Sequence, residues 1–139
     1  MNGSLEDNVV FYVACRNKNN LTPTRDAVAE TIFEKKGLNH RDGLSGALTI
    51  NDAIRHLKKN HGVVRIRAGD IRNIGRILLS RDLEIKITKS DSTHVLIRNM
   101  PCIDREHEEA DANALASALA AIAEIESSDP VLIQSTTIA

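Results

Sequence analysis

Residues 8 to 15 hold an apolar run, Val9 to Cys15, that does not alternate and is rich in β-branched and aromatic side chains. Such a run predicts a first strand covered on both faces. Helix signals follow. Thr22 can cap, Pro23 suits the first helical position, Lys35 and Lys36 suit the last turn, and Gly37 suits the turn beyond it, so residues 21 to 37 read as a helix. Residues 38 to 48 carry two glycines and no period, and read as a loop. A second helix is expected from Thr49, with Asp52 three residues on in a variant of the capping box, to Gly62. Its apolar positions Ile50, Ala53, Ile54 and Leu57 share one face.

The period then changes to two. In residues 63 to 67 Val64 and Ile66 point one way and Arg65 and Arg67 the other, as in a half-buried strand. Residues 71 to 80 return to a helical period, with Ile71, Ile74, Gly75 and Leu78 on one arc and Arg72, Asn73, Arg76 and Ser80 on the opposite one. Two alternating runs, 83 to 88 and 93 to 98, flank a polar turn and predict a hairpin. Ile85, Ile87, Val95 and Ile97 would face the core, and Lys86, His94 and Arg98 would face away. After Pro101 the longest helix is expected over residues 104 to 130, capped by Asp104 with acids in its first turns. Leu115, Ala118, Leu119, Ile122 and Ile125, with alanines between them, give that helix more apolar circumference than one sheet needs. The surplus predicts a homodimer interface along those five residues.

These elements predict a single α+β domain over residues 1 to 130 followed by a tail, 131 to 139. The expected architecture is a two-layer sandwich of about four mixed strands, with helices on one face and a long C-terminal helix. A β-α-β unit at residues 63 to 88 would make its two strands parallel. The rival is a winged helix with a C-terminal dimerisation helix, in which residues 68 to 80 are the recognition helix and Lys89 lies near the wing tip. Against it, seven residues of strand periodicity stand where a helix-turn-helix needs a short turn.

Composition narrows the function. Aromatic residues are 2% of the chain, so the core must be aliphatic and a site of stacked rings is disfavoured. Cys15 and Cys102 are far apart, without metal-ligand spacing. No secretory signal or membrane-length apolar run is seen, and an intracellular, cytoplasmic chain with no membrane contact is expected. The net charge of -1 conceals a basic middle and an acidic end: residues 41 to 98 carry a net +6 and residues 104 to 139 a net -7. That asymmetry points to an anionic partner.

The expected function is therefore a non-enzymatic nucleic-acid-binding protein, for DNA or RNA, acting as a dimeric regulator or accessory factor. Arg65, Arg67, Arg72, Arg76, Lys86, Lys89 and Arg98 would contact phosphates, because guanidinium forks pair with phosphate oxygens and release counterions. The alternative is a protein-protein interaction or assembly module, in which the basic middle meets an acidic helix. A remote alternative, a metal-dependent nuclease, would use Asp70, Glu84 and Lys86. No cofactor and no metal is expected: the histidines are scattered, Cys102 and His107 alone cannot hold zinc, and Ser45 lacks the Gly-x-Ser-x-Gly frame.

Overall fold

A computed structural model describes residues 3–36, 43–55 and 57–132. The fold is α+β, one open antiparallel six-stranded sheet with three α-helices. The elements are β1 (Val10–Ala14), β2 (Leu44–Ala47), α1 (Ile50–Ile54), β3 (Val63–Arg67), α2 (Ala68–Leu79), β4 (Glu84–Ile87), β5 (His94–Arg98), α3 (Glu109–Ile122) and β6 (Glu124–Ser127). The strand order is β4-β5-β2-β1-β3-β6, and every neighbouring pair is antiparallel.

β3, α2, the β4–β5 hairpin and the body of α3 lie where their periods predict them. Phe11, Val64, Ile66, Ile85, Val95 and Ile97 form the sheet's contribution to the core, against Ile71 of α2 and Leu115, Ala116 and Leu119 of α3. α1 packs on β1 and β2, and a cleft shared by Tyr12 and residues 48 to 52 places it on the opposite face. The helices therefore do not all lie on one side.

Five further expectations are corrected. Of the predicted helix at 21–37, the described residues 21 to 36 form an extended segment with a short 3₁₀ turn at Glu30–Phe33, preceded by another at Lys18–Asn20. Its helix signals serve a tight turn instead: the Thr22 hydroxyl accepts from the Ala27 amide, the Asp26 carboxylate accepts from the Thr22 and Thr24 hydroxyls, and Leu21 bridges Val28. Local side-chain bonds of this kind outcompete a helix. Hydrogen bonds from Thr24 and then Thr22 hold the Asp26 carboxyl below the usual carboxylate range.

The predicted loop at 38–48 contains β2, a strand between β5 and β1; residues 38 to 42 lie outside the described set. Gly46 sits in a strand because a Cβ there would come within 2.8 Å of the Phe11 ring and 2.9 Å of the Tyr12 carbonyl oxygen. The second helix is capped by Thr49 as expected, with the Asp52 amide donating to its hydroxyl at 3.1 Å, but α1 ends at Ile54.

The long C-terminal helix is shorter than expected. It starts at Glu109, not at an Asp104 cap, and stops at Ile122, after which the chain turns into β6 beside β3. β3 and β4, expected to be adjacent and parallel, do run in the same direction but have β1, β2 and β5 between them. β3 is instead flanked by β1 and β6, which take both of its hydrogen-bonding edges.

Residues 3 to 7 form a strap along the outer edge of β4. Leu5 donates to Ile85 and Ile87 to Gly3, both main chain to main chain. Arg72 clamps the strap, its guanidinium reaching the Asp7 carboxylate at 2.7 Å, the Ser4 hydroxyl at 3.1 Å and the Ile85 carbonyl at 3.3 Å. Arg72→Ala would remove the clamp, while the Ile85 carbonyl keeps its bond from Leu5 and the exposed Asp7 carboxylate turns to water, and is expected to cost about 0.5–1.5 kcal/mol. Urea denaturation measures the loss, and amide exchange should show the Leu5 and Ile87 amides deprotected before the rest of the sheet.

Candidate nucleic-acid interface

Strand alternation decides which candidate cations meet. Arg65 and Arg67 on β3, Lys86 on β4, and His94 and Arg98 on β5 all lie on the sheet face opposite the main core, as the registers Tyr12 to Arg65, Ala47 to His94 and Lys86 to Leu96 require. Lys89 is exposed in the turn after β4. Arg72 and Arg76 belong to α2, on the core side, and are not part of this face.

The charges of this face are not free. Arg65 is held by two carboxylates, Glu124 and Glu126, each at 3.0 Å. The hydrogen bond that Arg65 donates to Glu124 comes first among the interactions that raise the Arg65 pKa above its ordinary value. Arg67 pairs with Asp70 at 2.6 Å, which raises its pKa in the same way. At the other end the ratio reverses. One carboxylate, Glu84, is shared by Lys86 at 3.2 Å and Arg98 at 4.0 Å. The β3–β6 end of the face is thus neutralised or acidic, and the β4–β5 end keeps an excess of positive charge, to which Lys89 adds.

Arg76 pairs with Asp82 at 3.2 Å, and Arg72 is the strap clamp, its side chain only 14% exposed. The nuclease trio does not assemble. Asp70 follows β3 and Glu84 lies on β4, with three strands between, on the order of 19 Å at the usual strand spacing. Those carboxylates cannot share an ion, and no group of three metal-ligating side chains is found among the described residues.

The stripe assigned to a dimer is mostly inside one chain. Leu115 and Leu119 are 1% and 0% exposed, packed in the core, while Ala118 is half-buried. Ile125 has left the helix for β6, where it pairs with Val64, and Ile122 alone of the five is exposed, at 38%. What the sequence reading missed is β6, whose Glu124 and Glu126 take up Arg65; the signal was the alternation Glu-Ile-Glu-Ser, masked by the alanine run before it.

A cleft of about 710 Å³ lies beside α1 on the same face, with Tyr12, Asp52, Arg55 and Glu126 among its walls. Arg55 and Asp52 form an ion pair within it. Both cysteines are free and buried, and burial pushes the Cys15 thiol up to about 11, against the opposing field of Arg25. No described helix is long and apolar enough to cross a membrane. No protein-family description, curated protein or solved structure matches this chain.

Proposed function

We propose that this chain is a non-enzymatic nucleic-acid-binding protein, an accessory factor or regulator, that contacts phosphates through the β4–β5 end of its open sheet face. The observation that carries the reading is the sharing of one carboxylate, Glu84, between Lys86 and Arg98. Exposed ion pairs of this kind contribute at most about 1 kcal/mol each, so a phosphate can replace the carboxylate at little cost. Each phosphate contact also releases condensed counterions from the nucleic acid. Arg65, with two carboxylates of its own, and Arg72, enclosed by the strap, are left out of the contact set.

A second reading has a specific observation behind it. The β3–β6 end, where Arg65 and Arg67 are matched by the three carboxylates of Glu124, Glu126 and Asp70, suits a protein surface of matching pattern better than a polyanion. Fluorescence anisotropy with labelled single- and double-stranded DNA and RNA, titrated with salt, separates the two. Nucleic-acid binding should fall as salt rises, with a logarithmic slope of about -2 to -3 for two or three phosphate contacts. Absence of binding to all four probes at low salt would leave the protein-interaction reading.

A further inference from the structure

β1 and β2 are neighbours inside the sheet, yet they pair at a single position, Tyr12 with Ala47. β1 pairs with β3 through every residue from Val10 to Ala14, and β2 with β5 through every residue from Leu44 to Ala47. The ladder pattern fixes which groups face the gap. The Cys15 amide donates to Gly62 and its carbonyl accepts from His61, and the Val9 carbonyl accepts from Ala68, so odd-numbered residues of β1 bond towards β3 and even-numbered ones towards β2. The Leu48 amide donates to Thr93, so even-numbered residues of β2 bond towards β5 and odd-numbered ones towards β1.

The next rung after Tyr12 and Ala47 would therefore join Ala14 to Ser45, and it is not formed. Outside the sheet ladders, neither residue has a main-chain hydrogen bond to a turn, loop or cap among the described residues. By the ladder pattern, the N–H and C=O groups of both residues face this break within a six-stranded sheet. Ala14 is half-buried and Ser45 exposed. The break opens to two clefts, of about 450 and 120 Å³, and Val13, Ala14, Arg16 and Ser45 line both. Arg16 is exposed at its mouth and has no ion pair among the described residues.

Unpaired main-chain groups of a strand are a template for another chain. A phosphate or a carboxylate offers acceptors only and would leave the two carbonyls of Ala14 and Ser45 unmatched, whereas a peptide main chain both donates and accepts. Arg16 adds a preference for negative charge beside the pairing groups. We infer that the break between β1 and β2 is a docking slot for an extended acidic peptide segment, which pairs its main chain with Ala14 and Ser45 and sets a carboxylate against Arg16. The slot is independent of the Lys86 and Arg98 surface, and either can fail without the other.

Amide exchange followed by NMR tests it, with a short alternating Val-Glu peptide as the probe. In the free protein the Ala14 and Ser45 amides should exchange rapidly while those of Phe11 and Val13 are protected. The peptide should slow exchange at Ala14 and Ser45 by about tenfold or more. Arg16→Glu should abolish that slowing, and so should N-methylation of the peptide. Ala14→Pro removes an N–H that makes no bond to β3; it should keep the melting temperature and lose peptide protection at Ser45. Protected Ala14 and Ser45 amides in the free protein would overturn the proposal. So would an equal response to the methylated peptide or to a Val-Lys peptide, protection by a DNA oligonucleotide in place of the peptide, or no response to the Val-Glu peptide.

Discussion

Replacing Leu119 by Ala should destabilise the protein by about 2–5 kcal/mol and leave its oligomeric state unchanged. Leu119 is fully buried, on the helix that packs against α2 and the Glu30–Phe33 turn. Truncation removes the transfer free energy of the lost methyl groups and opens a cavity that the sheet below, anchored by Phe11, Val64 and Ile66, can only partly close. Urea denaturation measures the loss, and light scattering at matched concentration reads the assembly. A small loss of stability accompanied by dissociation would return Leu119 to a seam between two copies. Ile122→Ala is the companion control: with its side chain already partly in water, it should cost under about 1 kcal/mol.

How much of this was legible in the sequence follows from how local each signal is. β3, α2 and the β4–β5 hairpin each carry their own period, so the alternation of Val64 and Ile66 with Arg65 and Arg67 was enough to place two arginines on one face. β2 was not legible because Gly46, the residue that reads as a breaker, is required there by the Phe11 ring, which belongs to another strand. The segment after Thr22 gave a false helix because hydroxyls and an aspartate, which favour a helix start, favour a tight turn equally well. At the candidate site, the cations could be counted from sequence but their partners could not. Glu124 and Glu126 reach Arg65 only because the chain leaves α3 and returns as an edge strand, and Asp7 reaches Arg72 only because the N-terminal strap runs along β4.

The second large effect follows from that division of charge. Reversing Lys86 and Arg98 together, Lys86→Glu with Arg98→Glu, should reduce nucleic-acid affinity on the order of a hundredfold or more near 0.1 M salt, because two phosphate contacts are lost and two repulsions gained beside Glu84. Arg65→Ala should change affinity by less than about twofold, since it removes a charge already engaged by two carboxylates. Both variants should keep the fold, as all three side chains lie on the open face and their pairs are exposed. Anisotropy titrations compare them directly, and circular dichroism checks the fold. Equal losses from the two variants would mean that Glu124 and Glu126 give way to phosphate as readily as Glu84 does, and that the face acts as a whole.

The central claim is the location of the phosphate contacts, and amide chemical-shift mapping with the tightest-binding oligonucleotide of the anisotropy series tests it most directly. The account predicts shifts concentrated at Lys86, Lys89, Leu96 and Arg98, with Arg65 and Glu124 to Ser127 unmoved. Shifts centred on Arg65 and β6, or on Arg76 and the outer surface of α2, would contradict it.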